Sequence, residues 1–460
     1  MQRDIAAVRL ARVAGLATLL AIGCSDDDRR SVWGATPASG GGADTGPGAG
    51  DGIDDDDGDG GAGGEDNDGG GGPDDDGGDG GTKLDVGDHN PDAPPLDACG
   101  CELTYIWVAN SSEGTVSKIN VRTLVEEGRY ITRPDGDGDP SRTSVNLAAD
   151  VAVANRYGGL VKIYADESDC VESNGMPGIQ TSTGAGDVLP WGVEECVAWY
   201  REFPTTNQRP VAWTPGQVTE GSCDSTGEQV WTVTSTMPGI GPGLGGPGGV
   251  TVHLLDGASG GTVQQIQIDD FPGFNLGAYG GAVNGEGDLF FTPMGLVSIP
   301  KVLARVELST YEVTLWELPA EIAPYGITVD HNGMVWVSST AGPGAARFDP
   351  DTETWDVIPG FSSLGGLAEG EDDLMWIADQ DGLISINIED FSYGPRYLGP
   401  SKGVSIDVDG YVWSVDNAAT KIDPETALEV GTYEGLSGPY TYSDMTGHAL
   451  GNVTCPPPEG

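Results

Sequence analysis

Residues 324–359 read PYGITVDHNGMVWVSSTAGPGAARFDPDTETWDVIP, and in this stretch short apolar runs alternate with turn-forming residues. The runs centre on Ile327, Trp336, Phe348 and Trp355. The breaks between them are Asp-His-Asn-Gly, Ala-Gly-Pro-Gly and Asp-Pro, which favour turns. The stretch therefore predicts four short antiparallel strands in fewer than forty residues.

The tryptophan-centred second strand of this stretch recurs along the chain. The seven copies are residues 105–110, 150–155, 229–233, 288–292, 334–338, 374–378 and 411–415. The last three central tryptophans, Trp336, Trp376 and Trp413, are spaced 40 and 37 residues apart. Four strands per repeat of this length predict a β-propeller, because each sheet covers its faces only by packing against its neighbours. We therefore expect an all-β, seven-bladed β-propeller over residues 99–460.

The two ends of this region are incomplete in complementary ways. The first copy lacks a preceding strand, and the strand-like segment PYTYSDMTGHALGNV at 439–453 is left over after the seventh. Pairing of the two termini within one blade accounts for both facts. Cys455 would then lie near Cys99 or Cys101, and a bond there would clamp the closure.

The cysteines indicate disulfides. Six accompany Cys24, and an even set in an exported chain favours disulfide bonds. They are Cys99, Cys101, Cys170, Cys196, Cys223 and Cys455. A zinc site is the rival interpretation, but no second C-x-x-C and no nearby histidine accompanies them. We expect Cys170 to pair with Cys196.

Two insertions interrupt the repeat, at residues 166–208 and 237–249. Insertions in a propeller occupy loops, and loops carry most binding sites. We expect both insertions on one rim and expect that rim to bind the ligand.

The N-terminal hundred residues have a different character. A basic start, a short apolar run and small residues before Cys24 predict a lipoprotein signal peptide over 1–23, with Cys24 lipidated. An ordinary signal peptide with a chance cysteine is the alternative. Ser25 after that cysteine favours the outer membrane of a Gram-negative bacterium. Residues 24–98 are rich in glycine and aspartate and nearly free of apolar side chains, so we expect a disordered acidic linker.

The charge of the chain limits its partners. The formal net charge is −51, from 72 acidic and 21 basic residues. Such acidity argues against binding nucleic acid or anionic lipid headgroups. The partners that remain are the membrane, through the anchor at Cys24, and an unknown protein, glycan or peptide ligand.

The motif Pro-x-Gly-Ile, followed by Asp-x-x-Gly and an aromatic-centred strand, resembles that of streptogramin B (virginiamycin B) lyases and, more loosely, of NHL-type propellers. The resemblance covers residues 275–435 best. It implies a seven-bladed propeller, magnesium, and a histidine base that opens a lactone by elimination. At the family's histidine positions this chain has Tyr279 and Tyr325. At its glutamate positions it has Asp379 and Asp416 among other residues.

These substitutions bear on chemistry. A tyrosine that keeps a pKa near 10 is a poor base at neutral pH. Asp379 and Asp416 are candidate magnesium ligands, although such sites need several converging oxygen atoms. Asp135, Asp137 and Asp139 are candidate calcium ligands, and a polar loop is the alternative.

Other short motifs have plainer explanations. Gly257–Gly261 fits the nucleophile-elbow pattern G-x-S-x-G, but the flanking strands predict a hairpin turn. His331 lies in a predicted turn, where we expect it to face solvent.

The sequence therefore predicts a cell-envelope lipoprotein whose propeller acts as a non-catalytic binding or scaffold module. A metal-dependent carbon–oxygen lyase related to streptogramin B lyase is the alternative.

Overall fold

The computed structural model describes residues 103–455 except 206, 219–224, 236–248, 273–276, 296–299, 341–343 and 372. The predicted signal peptide, the linker, and Cys24, Cys99, Cys101 and Cys223 lie outside the described residues. The described residues all belong to the unit Asp85–Gly460. No helix among them has the length and apolarity that a membrane span requires.

Seven antiparallel sheets confirm the predicted propeller, and they are the blades. Blade 1 contains β1 (Tyr105–Asn110), β2 (Thr115–Asn120) and β3 (Glu126–Ile131); blade 2 contains β4 (Pro140–Val145), β5 (Val151–Asn155), β6 (Leu160–Ile163) and β7 (Val197–Arg201). Blade 3 contains β8 (Gln208–Trp213), a small hairpin of β9 (Gln217–Val218) and β10 (Ser225–Thr226), then β11 (Gln229–Ser235), β12 (Val250–Asp256) and β13 (Thr262–Ile268).

The last four blades follow the repeat without interruption by long insertions. Blade 4 contains β14 (Ala278–Val283), β15 (Leu289–Pro293), β16 (Val302–Val306) and β17 (Val313–Glu317); blade 5 contains β18 (Pro324–Val329), β19 (Val335–Ser339), β20 (Ala345–Asp349) and β21 (Thr354–Ile358). Blade 6 contains β22 (Ser363–Glu369), β23 (Leu374–Asp379), β24 (Gly382–Asn387) and β25 (Tyr393–Leu398); blade 7 contains β26 (Gly403–Ile406), β27 (Val412–Val415), β28 (Ala419–Ile422) and β29 (Glu429–Tyr433).

Each of the seven predicted copies is the second strand of a blade. These strands form the core, and Trp107, Trp231, Trp336, Trp376 and Trp413 at their centres are fully buried. The outer strands are far more exposed, as in β21. A second strand has a neighbouring blade on each face, which explains its apolar side chains on both sides of the pleat.

The turn after the innermost strand has a repeated hydrogen bond. The side-chain Oδ1 of Asn146, Asn284, Asp330 and Asp407 accepts from the backbone N–H four residues further on, at 2.8, 2.8, 2.9 and 3.0 Å. This bond fixes the turn in the manner of an Asx-turn. It is the physical reason for the recurring Asp or Asn at this place.

The ring closes as predicted, through the C-terminal segment. Pro439 forms a β-bridge with Asn110, and the Tyr440 N–H donates to the Ala109 carbonyl at 3.0 Å. Residues 439–442 thus supply the innermost strand of blade 1. The rest of the predicted strand is wrong, because residues from His448 form a helix, α1 (His448–Thr454).

Two of the predicted disulfide cysteines pair with each other, and a third is bonded to a cysteine outside the described residues. Cys170 and Cys196 are bonded, as predicted. Cys455 is also disulfide-bonded. Since the other two described cysteines pair with each other, the partner of Cys455 lies outside the described residues, and the clamp to Cys99 or Cys101 stays a prediction.

The insertions differ from expectation in extent and position. The predicted 166–208 insertion contains β7, so the true excursion lies between Ile163 and Val197. It joins a third strand to an outer strand, whereas the 236–248 segment joins a second strand to a third. In an antiparallel blade these two connections leave from opposite ends of the strands, so the described flanks of the two insertions lie at opposite ends of the ring. The second insertion itself lies outside the described residues.

Candidate functional site

The innermost strands place large side chains at one end of the ring axis. Arg142 lies near the start of β4, Arg209 near the start of β8, and Lys402 directly before β26. Tyr279 and Tyr325 occupy the second positions of β14 and β18. The closing segment adds Tyr440 and Tyr442. We call these residues, together with Arg156 after β5, the axial cluster.

The four tyrosines of the axial cluster are joined through their hydroxyl groups. The hydroxyl oxygens of Tyr279 and Tyr440 are 2.7 Å apart, and those of Tyr325 and Tyr442 are 2.5 Å apart. A 3.3 Å contact between the Tyr325 and Tyr440 hydroxyls links the two pairs. The ring centroid of Tyr325 lies 5.0 Å from the centroid of Tyr279 and 5.0 Å from that of Tyr442.

Cationic side chains surround these rings. The guanidinium carbon of Arg142 is 4.2 Å from the Tyr442 ring centroid and 4.9 Å from that of Tyr279. Arg209 lies 4.8 Å from the Tyr279 ring. Arg156 and the Lys402 ammonium lie 4.0 and 5.1 Å from the Tyr440 ring. Such contacts are attractive, and more so where water is excluded.

The cations of the axial cluster have few acidic partners. Arg156 pairs with Asp139 at 2.8 Å. No carboxylate of the described chain forms a salt bridge with Arg142 or Arg209. Three of their nitrogen atoms are buried without a hydrogen-bond partner: Nη2 of Arg142, and Nε and Nη1 of Arg209. In a chain with 72 acidic residues, this uncompensated positive charge is exceptional.

The phenols have different acidities. Burial raises the pKa of Tyr279, Tyr325 and Tyr442, and the neighbouring phenols add to the effect for Tyr325 and Tyr442. Burial acts on Tyr440 in the same direction, but Arg209, Arg156 and Arg142 together lower its pKa to about 7. Tyr440 is therefore the phenol of this cluster that ionises near neutral pH.

Two of the predicted site residues thus meet, and the other candidates lie elsewhere. Asp379 is buried and accepts from Arg396 at 2.9 Å. Asp416 accepts from Asn417 at 3.1 Å. Asp139 binds Arg156, and Asp135 binds Arg133 at 3.1 Å. Because arginines bind Asp379, Asp139 and Asp135, a cation at these candidate positions would have to displace them.

A different group has ligand atoms close enough for a metal ion. The ligand atoms of His331, Glu369 and Asp373 lie within 4.8 Å of one another. Here the expectation that His331 faces solvent is wrong: the ring is half-buried and its Nδ1 lies 2.6 Å from Glu369 Oε1. That hydrogen bond, with the charge of Glu369, raises the pKa of His331. The geometry is that of an ion pair joining blades 5 and 6.

The axis beyond the cluster is nearly filled. A cavity of about 50 Å³ runs along the inner strands, with Asp444 and His448 in its lining. Such a volume holds only a few water molecules. Helix α1 lies at this deeper end, where its residues His448 and Leu450 also line the cavity. Since α1 lies at the deeper end, we expect a ligand larger than water to approach the axis from the axial-cluster end.

The first insertion borders a second concave surface. A cleft of about 530 Å³ lies between it and blade 1, lined by Lys118, Glu127, Asp166 and Glu167 among others. Lys118 donates to the Ala165 carbonyl at 3.0 Å, and burial lowers its pKa. Lys118, the one cation among the described residues that line this cleft, is thus already hydrogen-bonded within the protein.

Sequence reasoning missed Arg142, Arg209, Lys402, Tyr440 and Tyr442. A usable signal was present, since SKGV at 401–404 and QRPV at 208–211 match PYGI at 324–327 in position. The variable residue of Pro-x-Gly-Ile is Lys402 in one blade and Arg209 in another.

Comparison with known proteins supports the fold only. No protein-family model and no curated protein matches the sequence. A protein from Desulfotomaculum acetoxidans DSM 771, described as functionally unknown, is 13% identical with a TM-score of 0.50, over 74% of this chain and 98% of its own. A streptogramin B lyase is 14% identical with a TM-score of 0.45, over 74% and 92% of the two chains. BamB from Moraxella catarrhalis is 14% identical with a TM-score of 0.39, over 73% and 84%.

Proposed function

We propose that this chain is an exported, lipid-anchored binding protein whose propeller holds its ligand at the axial cluster and does not transform it. The end of the ring that carries this cluster also carries the flanks of the second insertion, since the Ser235 N–H donates to the Asn207 carbonyl beside β8. The proposal therefore keeps the predicted binding at an insertion-bearing rim, at the end of the ring that carries the axial cluster.

One observation carries the proposal. At the two positions where the resemblance to streptogramin B lyases implies histidine, Tyr279 and Tyr325 have raised pKa values and hydrogen-bond to other phenols. A general base must accept a proton near neutral pH. The groups around these phenols are arginines, which would repel a magnesium ion. The cluster has donors for a ligand, but Tyr279 and Tyr325 keep their protons at neutral pH and the surrounding arginines do not suit the magnesium ion that the elimination needs.

We expect the full chain to show no magnesium-dependent opening of a cyclic depsipeptide lactone. A positioned base typically contributes 10²–10⁴-fold to the rate, and these phenols retain their protons at neutral pH. Liquid chromatography with mass detection would follow the lactone and its linear product. Turnover that requires magnesium and disappears in Tyr325→Phe would replace the binding proposal by the lyase alternative.

Anchoring is tested separately. In a Gram-negative host, the wild-type chain should incorporate a palmitate analogue and sediment with outer membranes, whereas Cys24→Ala should do neither. Ser25→Ala, which leaves the cysteine in place, serves as the control for labelling. Equal labelling of the wild type and Cys24→Ala would refute the anchor without affecting the axial cluster.

A further inference from the structure

The axial cluster contains charged donors that the described chain does not satisfy. Arg142 is 2% and Arg209 is 4% exposed, yet three of their nitrogens lack partners. Taking an unpaired charge out of water is costly, and buried charges in proteins are normally paired. A negatively charged ligand would supply the missing acceptors.

The two arginines converge although they come from different blades. Their guanidinium carbons lie 4.9 and 4.8 Å from one ring, that of Tyr279. Arg142 is further fixed by donating from Nη1 to the Ser141 carbonyl at 2.8 Å, which leaves Nη2 free. Both groups are thus positioned before any ligand arrives, which lowers the cost of ordering them on binding.

The side of the cluster that solvent reaches is also polar and cationic. Tyr440 and Lys402 are half-buried, in contrast to the fully buried Tyr442 and Arg142. The Tyr440 hydroxyl lies 2.7 Å from that of Tyr279, next to the ring that both arginines contact. A ligand entering here meets an ammonium and a phenol first and the two guanidinium groups behind them.

We propose that the axial cluster binds an oxyanion carrying two negative charges, such as a phosphate monoester or a dicarboxylate, through Arg142, Arg209, Tyr440 and Lys402. The inference names the ligand class for the binding function proposed above and rests on it. Guanidinium groups match the planar or tetrahedral oxygens of such anions. A doubly charged group matches the two guanidinium charges that no carboxylate of the described chain pairs, whereas a single negative charge would leave one of them without a carboxylate or ligand partner.

Binding of an anion should change the ionisation of Tyr440. The arginines lower its pKa to about 7, and a nearby negative charge disfavours the phenolate. Near pH 7 the site should therefore take up a proton as the anion binds. The protonated phenol can then donate its hydrogen bond to the ligand.

The test is calorimetric titration of the full chain at neutral pH and low chloride with inorganic phosphate, succinate and acetate. We expect phosphate or succinate to bind at least about ten times more tightly than acetate, and the tighter of the two identifies the group. Arg142→Gln and Arg209→Gln should each lower that affinity by about 10- to 100-fold, the range for one charged hydrogen bond. Arg347→Gln is the matched control, because Arg347 also lies over an aromatic ring, at 4.5 Å, but already pairs with Asp356.

A second measurement uses the wild-type chain and so does not depend on the folding of a variant. The ultraviolet absorbance of tyrosinate should show one phenol titrating near pH 7, and saturating phosphate or succinate should shift that titration upward. No binding of either dianion, equal affinity for acetate, or full affinity in both arginine variants would overturn the inference. Lactone opening by a chain that still binds the dianion would overturn the proposed function and leave this inference intact.

Discussion

A chain that ends at Leu436 is expected to lose the cooperative unfolding transition of the propeller. The truncation removes the innermost strand of blade 1 and exposes the hydrogen-bonding edge of β1. It also removes Tyr442, Met445 and Leu450, which are buried. Large-to-small changes at such sites cost about 2–5 kcal/mol each. Their sum is comparable with the entire stability of a domain, about 5–15 kcal/mol.

Thermal unfolding followed by circular dichroism measures this loss. The matched control is Cys455→Ser, which keeps the strand and α1 and removes one disulfide, a change of about 2–4 kcal/mol. We expect this control to unfold cooperatively at a lower temperature. If the truncated chain unfolds as the wild type does, the C-terminal segment does not close the ring.

The number of blades and their seam could be predicted because they follow from local patterns. A blade is a meander of short strands, so its turns and its tryptophan-centred second strand are contiguous in sequence. The seam followed by elimination, since an unpaired strand at each end leaves one consistent arrangement. Helix α1 was missed because PYTYSDMTGHALGNV begins as a strand, and only the ring determines where the strand must end.

The axial cluster could not be predicted in the same way, because it depends on contacts across the ring. Arg142 and Tyr442 are 300 positions apart in the chain but 4.2 Å apart in the structure. A search for histidine at Pro-x-Gly-Ile found Tyr279 and Tyr325 as isolated substitutions. The same position holds Arg209 in blade 3, Lys402 in blade 7 and Tyr440 in blade 1, whereas blades 2 and 6 have Ser141 and Gly365 there.

The buried aspartates of the repeated turns have different partners in different blades. In blades 2 and 4, Asp150 pairs with Lys162 at 2.9 Å and Asp288 pairs with Arg305. In blade 5, no lysine or arginine of the described chain pairs with Asp330, and burial raises its pKa to about 6 although the Trp336 indole donates to it. In blades 2 and 4, a cation on the third strand therefore compensates the charge of the buried aspartate, whereas blade 5 has no lysine or arginine in the described chain that pairs with Asp330.

Lys421 in blade 7 allows the contribution of such a cation to be measured. Its ammonium lies 2.8 Å from Asp407 Oδ2, and the two side chains are 7% and 0% exposed. The same ammonium donates to the Val121 carbonyl of blade 1 at 2.9 Å, so it also spans the ring seam. Asp407 in turn accepts from the Trp413 indole at 2.8 Å. Loss of the cation leaves a buried carboxylate that still holds the turn.

We expect Lys421→Ala to lower the free energy of unfolding by about 3–5 kcal/mol at pH 8, the usual cost of removing one partner of a buried ion pair. Burial raises the pKa of Asp407 and Lys421 opposes that shift, so the variant should have a still higher Asp407 pKa. A carboxyl group whose folded-state pKa is raised destabilises the fold above that pKa and not below its unfolded value of about 3.9. The loss of stability in the variant should therefore become smaller as the pH falls toward 4.

Arg122→Ala is the control. Its ion pair with Asp409 joins the same two blades at 3.0 Å but is partly exposed, and such pairs contribute about 1 kcal/mol or less. Equal losses for the two variants in urea titrations, or a Lys421→Ala deficit that does not vary with pH, would show that Lys421 contributes packing rather than charge.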